Sequence, residues 1–408
     1  MDVLKKVKNL INFTKNSPYF YTLDIGSDSI KVQLFEIHKE EFKLKLIDSV
    51  KIAQDLDVYK NGKILNEEKI LSSLNEAIHR LVEKNSIKVK NVVCCISAPN
   101  SRTIMTTLKV NRQSKQPISS VETDEITHKL LENAYSSLSN VLYEESLTEN
   151  ANLEMIDLQP VYITCDDRVV LDLEGEEASE VEMCFSISFA DSEYISHISR
   201  ILNKTGLNII SFVPSSVAIL NALKKGKKEK LDGVILNIGA SSTEAIVCFG
   251  GGIFLNKSIP MGGSDITKEI SLKLKRPYLD AEKIKRLYSM GKLNPKDSST
   301  VLNIINGVLT FWHAGIEELF KHFSGVKTFA PDFYLVGGGS DLPDVKEQLF
   351  EEPWTKSIPF KSSPEFKKID LSKLKELERS EELRSSEDLL PLLCAYYYFL
   401  IKGVKNNE

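Results

Sequence analysis

Two stretches of this chain decide its fold: "VILNIGASSTEAIVCF", Val234 to Phe249, and "YTLDIGSDSIKVQLF", Tyr21 to Phe35. Each is an apolar run, an acid or its amide, Ile-Gly, small hydroxyl residues and a second apolar run. That is the pattern of two strands joined by a tight turn of glycine and hydroxyls. The first copy carries Asp24 where the second carries Asn237. A third stretch, "LVGGGSDLPDV" from Leu335 to Val345, is a strand, a glycine-rich turn and a helix start.

Turns of this composition expose backbone N–H groups that, with hydroxyls, cradle phosphate oxygens. Glycine serves where a side chain would block close approach. An acid at a strand end suits a Mg²⁺ held through water. The candidate ligand residues are therefore Asp24, Gly26, Ser27, Ser29 and Lys31 in the first turn. Asn237, Gly239, Ser241, Ser242 and Thr243 belong to the second, and Gly337, Gly338, Gly339 and Ser340 to the third. Asp24 is the candidate metal-side acid.

The 408 residues are 42% hydrophobic and 27% charged, a globular composition long enough for two or three cores. A net charge of −5 gives no reason to expect nucleic-acid binding. Six cysteines and six histidines are scattered without metal-ligand spacing, which argues for a reduced, cytoplasmic setting and against a zinc site. No apolar run reaches the roughly 18–20 residues of a membrane span. The start is different: Val3, Leu4, Val7, Leu10 and Ile11 fall at helical spacing beside Lys5, Lys6 and Lys8. Two readings stay open for this segment, a helix packed on the domain or a basic amphipathic helix on an anionic membrane surface.

Residues 19–53 show three strands, Asn66–Asn85 an amphipathic helix, and Val89–Pro99 a buried strand. Between about 100 and 191 the texture shifts to acidic loops, two strands and a helix at Thr123–Leu138, suggesting an inserted α+β module. Past it, a helix, a strand and a helix lead into the second copy. One helix is expected after "SIPMGG", N-capped by Ser264 or Asp265, and another from Asp280. Residues 356–388 are charged and poor in apolar side chains, suggesting a surface excursion, while Leu389–Ile401 reads as a buried terminal helix. The expected organisation is thus 1–16 basic segment, 17–99 and 192–232 first lobe, 100–191 module, 233–355 second lobe, 356–388 excursion and 389–408 helix returning to the first lobe.

Taken in order, "DIGSDSIK", "LNIGASSTEAIV…IPMGGSDITKEIS", "AEKIK" and "LVGGGSDLPDV" resemble the actin-like ATPase superfamily, specifically its FtsA and PilM branch. The resemblance covers nearly the whole chain after residue 17. It implies an actin-like (ribonuclease H-like) α/β fold, duplicated into two lobes around a nucleotide cleft, with ATP and Mg²⁺ as ligands. It adds Glu282 and Lys285 as contacts to ribose and base. As partners it implies a second copy of the chain, division or pilus membrane proteins, a tubulin-like filament and the inner face of the cell membrane. FtsA-like chains usually end in an amphipathic membrane helix; this one ends "IKGVKNNE", so the basic N-terminus is the candidate substitute. The alternative is a PilM-like component of a type IV pilus or secretion platform. A sugar or acetate kinase of the same superfamily is disfavoured, because no acid for a hydroxyl acceptor is identifiable.

The second turn departs from the family's usual second phosphate loop at Asn237, Ala240, Ser241 and Glu244. Asparagine carries no charge toward hydrated Mg²⁺. Where relatives place Glu or Gln before a proline to orient water, this chain has Val213 before Pro214. These departures predict weak or absent hydrolysis.

Overall fold

A computed structural model describes residues 17–55, 58–146, 152–227, 229–349, 352–378 and 388–404. The first half opens with β1 (Tyr19–Ile25), β2 (Ser29–His38) and β3 (Lys43–Ala53), an antiparallel meander. A two-stranded ribbon, β4 (Tyr59–Lys60) and β5 (Lys63–Ile64), leads to helix α1 (Glu67–Asn85). Asn66 caps α1 by accepting from the Lys69 N–H at 3.0 Å, and Ile70, Leu74, Ala77 and Leu81 bury its apolar stripe. β6 (Asn91–Ile96), wholly buried, then pairs parallel to β1.

The stretch expected as a module follows as β7 (Ser101–Asn111), α2 (Ser120–Ser146), β8 (Leu153–Cys165), β9 (Arg168–Val169) and β10 (Glu180–Asp191). Helix α3 (Ser192–Thr205), capped by Asp191, returns the chain to β11 (Asn208–Pro214), parallel to β6. Helix α4 (Ser215–Lys224) closes the first half. Its sheet runs β11-β6-β1-β2-β3.

The second half repeats this plan with β12 (Gly233–Ile238), β13 (Thr243–Phe249) and β14 (Gly252–Ile259) as the meander. Helices α5 (Gly263–Leu274), α6 (Tyr278–Ser289) and α7 (Pro295–Lys321) follow, then β15 (Asp332–Val336) parallel to β12. A short 3₁₀ turn at Gly338–Asp341 leads into α8 (Pro343–Gln348) and α9 (Glu352–Ser357). After β16 (Glu365–Lys367) come β17 (Leu377–Glu378) and α10 (Leu389–Val404). The order β16-β15-β12-β13-β14 matches that of the first sheet strand for strand. The turn is written twice because the whole unit is.

The structure differs from the sequence reading in four places. Helix α7 is absent from that reading, although its signals are plain: Asn294 caps it, Pro295 opens it, and Val301, Ile305, Leu309 and Ile316 repeat along one buried face. Helix α2 is longer at both ends than Thr123–Leu138. Helix α6 starts at Tyr278, two residues before Asp280. Residues 356–378 are no mere excursion: β16 extends the second sheet beside β15, and β17 extends the first beside β3. The strands of the 100–191 stretch likewise continue the second sheet past β14, in the order β7-β10-β8-β9, joined to β14 through the single pair Leu255–Ile104.

Buried Trp354 knits the second half, its ring lying 5.1–6.0 Å from those of Phe360, Phe320, His313 and Phe333. Helix α10 does end buried, with residues Leu392 to Phe399 at most 3% exposed against the first sheet and α4. No described helix is long and apolar enough to cross a membrane. Residues 1–16, with Val3, Leu4, Lys5, Lys6, Val7, Lys8, Leu10 and Ile11, lie outside the described residues.

Candidate functional site

The two hairpins are superposable in register. Asp24 pairs with Lys31 and Ile25 with Ile30; Asn237 pairs with Glu244 and Ile238 with Thr243. Each turn closes through the same bond, Gly26 N–H to Ser29 O at 3.0 Å and Gly239 N–H to Ser242 O at 2.9 Å. The equivalence shows what differs. In the first hairpin, Lys31 Nζ donates to Asp24 Oδ2 at 2.9 Å. In the second, an amide faces an acid: Asn237 Nδ2 donates to Glu244 Oε2 over a long 3.4 Å, and Asn256 Nδ2 donates to Glu244 Oε1 at 2.6 Å. Glu244 is only 2% exposed. Burial pushes its carboxyl above the usual range, while the Asn256 and Asn237 amides pull the other way.

The turns meet across one cleft of about 480 Å³, in the range of small-molecule sites. Ser27 Oγ and Ser241 Oγ share a hydrogen bond of 2.5 Å across it. The third turn closes one end. Gly337 has φ +83° and ψ 161°, and a Cβ there would lie 2.4 Å from Ile238 O. Gly262 allows another close approach, since a Cβ would meet Gly239 O at 2.5 Å. This is why the cap of α5 is Gly262, not Ser264 or Asp265: Gly263 N–H and Ser264 N–H donate to the carbonyls of Gly239 and Ala240 at 3.0 and 2.8 Å. Asp265 instead accepts from the Gly262 N–H at 2.9 Å.

The cleft gathers Asp24, Gly26, Ser27, Ser29, Lys31, Asn237, Gly239, Ser241, Ser242, Glu282, Lys285, Gly337, Gly338 and Gly339. Two predicted residues do not line it. Thr243 is fully buried, its hydroxyl accepting from Trp312 Nε1 at 2.9 Å and donating to Met261 O at 2.8 Å. Ser340 Oγ turns back to Gly337 O at 2.7 Å. Glu282 and Lys285 pair at 2.7 Å, and Lys285 also reaches Gly263 O at 2.9 Å. Val213 is 1% exposed and packed in the apolar core with Val217 and Leu220, so no polar group from that position reaches the cleft.

Sequence reading missed Arg286, one position beyond Lys285. It holds Glu282 Oε1 at 2.8 Å and Asp28 Oδ2 at 3.5 Å, joining helix α6 to the first turn. Residues 258 positions apart give no local signal. Tyr278 and Met290, at either end of α6, add apolar surface to the cleft beside Leu342.

The set fits a nucleotide in part. Gly337 and Gly262 permit close backbone approach, the serine turns offer hydroxyls to phosphate, and Lys31 and Lys285 offer cations. Among the described residues no group of three acid, His or Cys side chains could hold a metal by itself, so Mg²⁺ would depend on phosphate and water with Asp24 behind.

This architecture is the actin-like ATPase fold, two halves of the same strand order around one cleft. Within that class, the chain's sequence is similar to the bacterial cell division protein FtsA: the family model "Cell division protein FtsA" matches residues 234–351. FtsA of Buchnera aphidicola subsp. Schizaphis graminum is 23% identical over 289 residues, 71% of this chain but 65% of that protein's own length. FtsA of Bacillus subtilis is 19% identical over 351 residues, 81% of this chain and 76% of that protein. Among solved structures, the PilM–PilN type IV pilus biogenesis complex aligns with a TM-score of 0.63 at 15% identity, covering 96% of this chain and 99% of that one.

Proposed function

We propose that the chain is an FtsA-like adaptor of bacterial cell division, which binds ATP in the cleft, self-associates at the membrane and hydrolyses ATP weakly or not at all. The observation that supports it is the meeting of three turns in one cleft, in a chain similar to FtsA. Asp24, Gly26, Ser27, Ser29 and Lys31 would face the phosphates from one side, and Asn237, Gly239, Ser241 and Ser242 from the other. Glu282, Lys285 and Gly337–Gly339 would receive the nucleoside.

Titration of the full chain with Mg-ATP is expected to release or absorb heat and raise Tm. No effect at millimolar nucleotide would leave only the fold. Two absent supports, each ordinarily contributing a factor of about 10², bring a median turnover of about 10 s⁻¹ down to about 10⁻³ s⁻¹. Turnover near 10 s⁻¹ would refute the second part. Specific capture of a pilus membrane protein, with no affinity for a tubulin-like division filament, would favour the PilM-like alternative.

The membrane part rests on the sequence of residues 1–15. Lys5, Lys6 and Lys8 would add about 1 kcal/mol each at an anionic surface, a weak hold that self-association multiplies. Deleting residues 1–15 is expected to abolish co-sedimentation with phosphatidylserine vesicles and leave Tm unchanged. A Tm lowered by many degrees, with no vesicle binding by the parent, would make the segment structural.

A further inference from the structure

A second binding site lies outside the cleft, along the outer edge of β7. This strand pairs with β10 from Ser101 to Asn111, but with β14 at Ile104 alone. Up to that point its outer edge is used: Thr103 N–H donates to Asn256 Oδ1 at 2.6 Å, and Ser101 O accepts from Asn256 Nδ2 at 3.2 Å. The Ile104–Leu255 pair still places Met105 opposite β14; beyond it, among the described residues, Thr106–Asn111 pairs with no strand on that side. In an antiparallel ladder, alternate residues turn both backbone groups to the same side. Since Thr103 faces outward and the register with β10 has no bulge, Met105, Thr107, Lys109 and Asn111 face outward too.

Helix α2 stands beside this edge. Asn133, Ser136, Ser137 and Asn140 form one wall of a groove of about 380 Å³, with Met105, Thr106 and Thr107 as the other. Exposed Tyr143 continues the helix wall at the same spacing. Thr106 is 8% exposed, and its hydroxyl, buried in the groove wall, has no hydrogen-bond partner among the described residues. Such an unpaired buried hydroxyl is costly unless something supplies a partner.

We propose that this groove binds an extended, uncharged peptide segment of a partner protein, which adds to β7 as a further strand. Main-chain bonds to the outward residues would supply affinity, and the hydroxyl and amide wall would select side chains. No residue lining the groove is charged, and the one charged residue of the edge, Lys109, is already held by Glu180 at 2.6 Å, so the site offers a charged segment no counter-ion. A second folded copy is a poor occupant. The free edge is six residues, about 20 Å at 3.3 Å per residue, a short seam beside the roughly 1,200 Å² or more that a stable dimer needs.

The test uses a phage-displayed library of random dodecapeptides, panned against the full chain. Selected peptides, synthesised with a fluorophore, are expected to bind with at least tenfold lower affinity to Thr107→Pro, which removes an outward N–H, and to the double variant Ser136→Arg with Asn140→Arg, which fills the groove from exposed positions. Thr106→Val is expected to weaken binding severalfold. Bound peptide should slow amide exchange at Thr107 and Lys109 and leave the β10-paired amides beside them unchanged. The proposal is overturned if no selected peptide is sensitive to the double arginine variant, if protection falls elsewhere, or if sedimentation shows the wild type to be a dimer that Thr107→Pro dissociates. Folding of Thr107→Pro is checked by circular dichroism; should it unfold, the arginine variant and the exchange pattern decide.

Discussion

Asn237→Asp is expected to destabilise the protein by about 2–3 kcal/mol at pH 8 and by about half as much at pH 5. By sequence alone, the substitution restores the acid that matches Asp24. It would instead place a carboxylate 3.4 Å from Glu244 Oε2, in a site where Glu244 is 2% exposed and already pushed up by burial. Lys31 offsets Asp24 in the first hairpin; the second has no lysine at that register position. Two acids there would share a proton, so one folded-state pKa rises above its unfolded value. A raised acid binds more protons folded than unfolded, so the variant loses stability as pH climbs past the unfolded value near 4. Thermal melts of wild type and variant from pH 5 to 8 should therefore diverge. Adding Glu244→Gln should close the gap. Parallel curves would mean that the two side chains do not sense each other.

Gly337→Ala is expected to cost about 3 kcal/mol and to abolish nucleotide binding. Its φ of +83° with ψ near 161° belongs to a region that is essentially glycine's alone. A Cβ would also lie 2.4 Å from Ile238 O and 2.8 Å from Asn237 Oδ1. Relief means moving β12 from β15, and the second turn with it. Gly175→Ala is the internal control. It too has φ +83°, but nothing lies within 4 Å of the new Cβ, so only backbone strain is added. Calorimetry should show full nucleotide binding in Gly175→Ala and none in Gly337→Ala. Equal losses in the two would show that crowding around Gly337 has no part in the effect.

The duplication was legible because it is local: strand, Ile-Gly, hydroxyls and strand all fall within sixteen residues. Even the compensation at Asn237 left a trace, since Asp24–Lys31 and Asn237–Glu244 have the same spacing. Reading it required the register, because only facing positions interact. Thr243 was assigned by composition, yet strand alternation turns it inward to Trp312, a partner 69 residues away. Arg286 escaped because its partner Asp28 lies in the other half. The two added strands after residue 356 escaped for another reason. β16 and β17 are three and two residues long, too short for any periodicity to register.

Those two short strands have a mechanical consequence. One stretch of backbone is stitched to the rim of both sheets, at Asp332–Tyr334 through β16 and at Leu44–Lys45 through β17. Only nine residues, 368–376, separate the stitches, a leash of at most about 36 Å from Lys367 to Leu377. The halves can rock only as far as that leash allows. Past its limit one stitch must unpick, and the weaker is β17, with two paired residues against three.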